Sequence, residues 1–207
     1  MNLIKDKRRI FNYFIGLLLV ASGVGLSIKS NLGVSPVSSI PYTITCITGM
    51  DVGKATIIFQ SFLLLLQILI LRKQFPLKNV LQIPAAIVFG TFTSFSTSMI
   101  AKIPLPDFFF FRLAMVFVST MLIALGFHLY VFARLIPLVS EGLIMEISEK
   151  YDKKFSSIKL IFEITVVSMS LITCLMVLRN LGSVGLGTII SSVMVGIEMK
   201  WIARLSR

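Results

Sequence analysis

The chain has 207 residues, of which 56% are hydrophobic and only 14% charged, with a mean hydropathy of +0.94. A soluble domain carries about a quarter charged residues, so an ordinary globule is excluded, and a disordered chain is excluded by its need for low hydrophobicity. The 20 Lys and Arg against 9 Asp and Glu give a net charge of +11, but they fall in short clusters between apolar runs. That is the pattern of membrane-protein loops rather than of a nucleic-acid surface with interleaved aromatics, and no nucleic-acid partner is expected.

A membrane-crossing helix needs roughly 20 mostly apolar residues. Met1 to Arg9 followed by an apolar run looks like a signal peptide, but Phe11–Ile28 is uncharged over 18 residues, longer than the usual ~7–15 of a cleaved segment. It is expected to be a retained first span. A short apolar stretch, 34–49, follows with Pro36 and Pro41 near its start. Spans are then expected over 55–71, 79–101 and 113–133, the last containing His128. A second short stretch, 136–148, starts at Pro137 and holds Glu141 and Glu146, and further spans follow over 160–178, with Glu163, and 182–197. The fold class is therefore all-α, a polytopic helix bundle of six spans with two short Pro-started segments that are re-entrant or interfacial.

With six spans and the N-terminus inside, 15 of the 20 basic residues fall on the inner side. Only Lys29, Lys54, Lys102, Arg112 and Arg179 remain outside. That bias puts both termini in the cytoplasm. An eight-span chain, in which the short segments also cross, gives a similar bias, so six is preferred on length.

The chain resembles itself at an offset of a little over one hundred residues. Gly23 falls on Gly126, Gln60 on Glu163, Pro36 near Pro137, and Ala86 and Gly90 on Ser192 and Gly196. The halves, 1–104 and 105–207 of one membrane domain, each read as span, short segment, span, span. An odd number of crossings would invert the second half. Inverted repeats with interrupted segments at matching places point to a secondary transporter's site.

Few residues at membrane depth carry chemistry. Ser35, Ser38 and Ser39 beside Pro36 suit a broken helix lining a polar path, because hydroxyls satisfy carbonyls that proline frees; an outer loop would account for them as well. Glu141 occupies the matching place in the second half, as an embedded acid or as part of an amphipathic cytoplasmic helix. Glu163 has Lys159 one turn away on the same face, as a snorkelling pair or as a bundle-facing carboxylate matched to Gln60. His128 is a proton-transfer candidate or a neutral hydrogen-bonded side chain. Cys46 and Cys174 lack metal or redox spacing, and no metal site, cofactor motif or nucleophile pattern appears. Neither enzymatic activity nor a cofactor is expected.

The segments Asn31-Leu32-Gly33-Val34-Ser35-Pro36 and Val184-Gly185-Leu186-Gly187-Thr188, continuing to Gly196, resemble the YczE/YyaS/YitT family of bacterial multi-pass membrane proteins. Its members have a Gly-x-Ser-Pro-type segment after the first helix and a Gly-x-Gly-Thr stretch near the end. An acid a few residues beyond the last glycine is a further family feature, which Glu198 matches. The resemblance implies a bacterial inner-membrane location and names no substrate.

The expected function is a small secondary-transporter-like permease for a small solute, coupled to a proton or cation through Glu141, Glu163 or His128. The alternative is an accessory or substrate-binding subunit that works with another membrane protein. The expected partners are the lipid bilayer and the solute, with a second copy or a membrane partner as the further alternatives.

Overall fold

The computed structural model describes residues 3–104, 106 and 108–205. Leu105, at the boundary between the halves, and Arg207, one of the inner basic residues, lie outside the described residues. Among the described residues are eight α-helices: α1 (Leu3–Ser30), α2 (Ser39–Thr48), α3 (Val52–Leu71), α4 (Gln82–Ala101), α5 (Phe109–Phe132), α6 (Val139–Lys150), α7 (Phe155–Val177) and α8 (Leu186–Leu205). Together they form an all-α membrane helix bundle. Among the described residues five segments are long and apolar enough to cross a membrane, namely Lys7–Ser30, Val52–Gln74, Leu77–Ala101, Phe109–Phe132 and Phe155–Val177. The last helix, α8, has a shorter apolar stretch, Leu186–Glu198.

Local chemistry sets the helix boundaries. Short 3-10 turns precede α2 and α4, at Pro36–Ser38 and Leu77–Leu81, so the expected span 79–101 starts its α-helix only at Gln82. The last helix begins at Leu186, later than the expected 182, because Gly182 is in a left-handed turn (φ 52°). Asp51 caps α3, accepting from the backbone N–H groups of Gly53 and Lys54 at 3.1 Å, as an N-cap carboxylate should. The polar content of α4 is reconciled with an apolar setting internally. Thr91, Thr93, Thr97 and Ser98 each donate to the carbonyl four residues earlier, leaving no hydroxyl of that group unsatisfied. At 1.5 Å per residue α2 and α6 are about 15 and 18 Å long, about half of a ~30 Å hydrocarbon core.

The central pairing is α1 against α5, which run antiparallel. A methyl group placed on Gly16 would lie 2.8 Å from the Gly126 carbonyl, one on Gly126 would lie 2.6 Å from the Gly16 carbonyl, and one on Gly23 would lie 2.8 Å from the Ser119 carbonyl. Ser119 also donates to the Gly23 carbonyl at 2.9 Å. No side chain fits between these backbones, so the crossing exists only because glycine occupies these positions. At the lower end Arg9 donates to the carbonyls of Ala133 and Arg134, which end α5.

Around this pair, α1 also packs on α4 and α5 on α8; α2 packs on α3 and α7, and α6 on α7 and α3. Exchanging α1–α4 with α5–α8 reproduces each of these pairings. Left-handed backbone residues also recur in step: Asn31 with Arg134, Gly49 with Asp152, Arg72 with Arg179. The most extensive pairing without a counterpart is that of α3 and α4. Helix α3 packs along α4, whereas α7 and α8 make no extended contact.

Overfilling a tight core site costs about 1–3 kcal/mol. Gly126→Ala is expected to lose that much stability in denaturant titrations of the detergent-solubilised chain. Gly196→Ala, with nothing within 4 Å of its added methyl, is expected to be neutral.

Candidate functional site: a charged cavity between the halves

A cavity of about 240 Å³ lies between the helices, bordered by Val20 and Val24 of α1, Ile123 and Phe127 of α5, and residues of α3, α4, α7 and α8. At an offset of 103, Val20 corresponds to Ile123 and Val24 to Phe127, so the two halves contribute matching walls. Most of the wall is apolar. Its charged side chains are Glu141, Lys159 and Glu163.

Each reaches the cavity through a local structural device. Leu138 turns the chain into α6 in an extended conformation (φ −61°, ψ 156°), so Ser140 and Glu141 occupy the first turn of a helix that starts at the cavity. Gln60, buried in α3, accepts from the backbone N–H of Ser140 through Oε1 at 3.1 Å. One of the free N–H groups at the start of α6 is thus satisfied. The Ser140 hydroxyl donates to the Glu141 carboxylate at 2.9 Å. On α7, Lys159 lies 3.7 Å from the Glu163 carboxylate and 5.6 Å from the centre of the Phe127 ring. It therefore bridges from α7 to the wall formed by α5. A carboxylate in mid-helix costs about 2.5–3.5 kcal/mol to insert, and this pairing lowers that cost for Glu163.

The first short segment supplies the opposite wall. Ser35 and Ser38 line the cavity, with Ser35 donating to Ser38 at 3.0 Å. Ser39 does not; it is buried and its hydroxyl donates back at 2.7 Å to the Pro36 carbonyl, which also accepts from the Ser39 backbone N–H. His128 and Glu198 also lie away from the cavity lining. His128 packs against Phe132 with ring centres 4.6 Å apart and planes tilted by 43°, and Glu198 accepts from Thr120 at 3.0 Å. Of the eight sequence candidates, Ser35, Ser38, Gln60, Glu141 and Glu163 are brought together and Ser39, His128 and Glu198 are not.

Sequence reasoning did not assign Ser156 or Ser191 to the wall. A signal for Ser156 existed, because the offset that pairs Gln60 with Glu163 also pairs Gly53 with Ser156. Among the described residues no group of three His, Cys, Asp or Glu could hold a metal ion.

The wall between α7 and α8 is open. Ser156, Leu160, Ser192 and Gly196 line the cavity and are exposed. The corresponding place in the other half is shut: a methyl on Gly53 would lie 2.0 Å from the Gly90 carbonyl, and one on Gly90 would lie 2.7 Å from the Gly53 carbonyl. A hydrogen bond from Ser94 to the Asp51 carboxylate reinforces that closure.

Beyond the open gap, the α7–α8 loop is pinned. The backbone N–H of Val34 donates to the Ser183 carbonyl at 3.0 Å, and that of Gly187 to the Leu32 carbonyl at 2.7 Å. A methyl on Gly33 would lie 2.6 Å from the backbone nitrogen of Gly185. Thr43, Ser170 and Ser183 add a buried hydroxyl cluster, with Thr43 and Ser183 2.7 Å apart and Ser170 and Ser183 2.9 Å apart. The two glycine-containing segments noted in the sequence are thus one structural unit.

Removing the acceptor of a buried N–H costs about 1–3 kcal/mol. Gln60→Leu is therefore expected to speed amide hydrogen exchange at residues 140–142 while leaving α2 unchanged, as read by exchange mass spectrometry.

No curated protein and no solved structure matches the chain. A family match does cover residues 7–204, nearly all of the bundle and every cavity-lining residue described above. The chain accordingly belongs to the Family of unknown function (DUF6198).

Proposed function

We propose that the protein is a small secondary-transporter-like permease of the bacterial inner membrane, with both termini in the cytoplasm and two inverted halves that alternate around the cavity. The resemblance of Asn31–Pro36 and Val184–Gly196 to the YczE/YyaS/YitT proteins belongs to the same reading. The repeat is supported by the exchange of helix pairings, by the left-handed residues at matching positions and by the α1–α5 crossing. There Gly16 meets Gly126 while Gly23 meets Ser119, and the offset of 103 turns one contact into the other.

The observation that carries the transport reading is the asymmetry of two corresponding helix pairs. The α3–α4 pair is closed at Gly53 and Gly90, and the α7–α8 pair is open at Ser156 and Gly196. Two halves with related sequences in two arrangements imply a second state in which those arrangements are exchanged. In this conformation the cavity faces the side that carries the start of α7, which the loop charges make the cytoplasm.

Gln60 and Glu163 are the corresponding side chains that differ most in what they do. The amide of Gln60 holds the start of α6, whereas Glu163 is paired with Lys159 and does not hold the start of α2. Closing the second half requires Glu163 to leave Lys159 or to bring it along, which gives the open state a charge-dependent hold.

The exchange is testable without knowing the solute. In a background lacking Cys46 and Cys174, bridging Ser156→Cys to Gly196→Cys with a bifunctional maleimide is expected to raise periplasmic labelling of Ser94→Cys by a membrane-impermeant reagent. Labelling that stays low when the bridge is complete contradicts alternating access and favours an accessory role.

A further inference from the structure

The charge balance of the cavity identifies the class of solute. Its wall carries three ionisable side chains, two carboxyl groups and one amine: Glu141, Lys159 and Glu163. Lys159 and Glu163 are paired at 3.7 Å and offset each other. Among the described residues no cation lies within ion-pair distance of Glu141, whose carboxylate has the Ser140 hydroxyl at 2.9 Å as a neutral donor. The cavity wall thus holds one more acid than amine, and Glu141 is the acid without an ion-pair partner at contact distance among the described residues.

The rest of the wall narrows the choice of cation. A hard metal ion requires about six oxygen ligands, whereas the surroundings here include Phe59, Phe89, Phe127 and Leu138. Aromatic faces attract organic cations, and aliphatic walls accept an apolar body. An anion is disfavoured because the single lysine of the wall already serves Glu163. The volume of about 240 Å³ is below the ~300–1,000 Å³ of sites for drug-sized ligands, so the body is small. The open wall between the exposed Leu160 and Gly196 faces the apolar exterior of α7, where Ile161, Ile164 and Ile172 are exposed. A ligand that partitions into the bilayer reaches the cavity from there.

We propose that the cavity binds a small lipophilic organic monocation, an amine or quaternary ammonium with an apolar body, with Glu141 as its counter-charge and the α7–α8 gap as its route. This assignment rests on the transport reading for its biological sense, but binding tests it separately.

The probe is radiolabelled benzyltrimethylammonium, offered to the full-length chain in detergent. Saturable 1:1 binding is expected, displaced by unlabelled probe and not by its uncharged carbon analogue neopentylbenzene. Glu141→Gln is expected to weaken binding about tenfold or more, as loss of a charge-assisted contact should, and Glu141→Asp is expected to restore part of it. His128→Gln and Glu198→Gln, outside the cavity, are expected to bind as the parent does. A monodisperse elution profile for Glu141→Gln separates loss of charge from loss of fold. Equal binding by Glu141→Gln, displacement by neopentylbenzene, or absence of saturable binding by the parent chain overturns the assignment. Uptake of the probe into proteoliposomes separates the two readings: binding without uptake ends the transport reading and leaves the ligand class standing, while uptake unaffected by Glu141→Gln ends the ligand assignment.

Discussion

The close crossing of α1 and α5 is the constraint on which the rest of the molecule depends. Methyl groups at Gly16, Gly23 and Gly126 would all come within 3 Å of opposing backbone, so the two helices meet at a separation that larger residues forbid. In a bilayer, where lipid is as apolar as leucine, such packing is a principal source of helix association. The crossing therefore gives α1 and α5 a fixed axis. The remaining helices attach to it in pairs, α4 to α1 and α8 to α5, and the cavity lies between the resulting arms. A rigid centre with less constrained arms is what a rocking or gating motion requires.

The arms differ in how firmly they are held. In the first half, Gly53 and Gly90 let α3 and α4 interlock, and Asp51 does double duty as the cap of α3 and the acceptor from Ser94. In the second, Ser156 and Gly196 occupy the corresponding places without meeting, and α7 is anchored at its far end through Ser170 to Thr43 and Ser183. A helix anchored at one end and without extended contact to α8 at the other opens a gap with little disruption of its own hydrogen bonds. The polar groups that the gap exposes, Lys159 and Glu163, already satisfy each other in part, so the opening does not leave a bare charge in hydrocarbon.

Much of this was legible in the sequence. Hydropathy located the helices because a membrane span must be both long and apolar, and the two prolines Pro36 and Pro137 marked the short segments because proline cannot continue a helix. The small-xxx-small positions were visible too, but their partners were not. Gly90 and Gly196 look equivalent in sequence, and only the packing distinguishes an interlocked glycine from one facing open space. The site was half legible for a related reason. Glu141 and Glu163 stand out as ionisable residues in apolar segments, yet so do His128 and Glu198, and helix rotation about an axis decides which of them faces the cavity. Ser38 ends the 3-10 turn and lines the cavity, whereas Ser39 begins α2 and turns back onto Pro36, a change of direction between neighbours that hydropathy does not register.

The central claim is that the two corresponding helix pairs exchange arrangements, and paired distance measurements between spin labels test it most directly. Labels at the exposed positions 54 and 95 report on α3–α4, and labels at 157 and 197 report on α7–α8. Glu163→Gln removes the charge paired with Lys159 and gives α7 the amide that at Gln60 ties α3 to the start of α6, and so biases the equilibrium toward closure of α7 and α8. The account predicts that this substitution, in lipid nanodiscs, shortens the 157–197 distance while lengthening the 54–95 distance. Two distances that move together, or that stay fixed in both proteins, would contradict it.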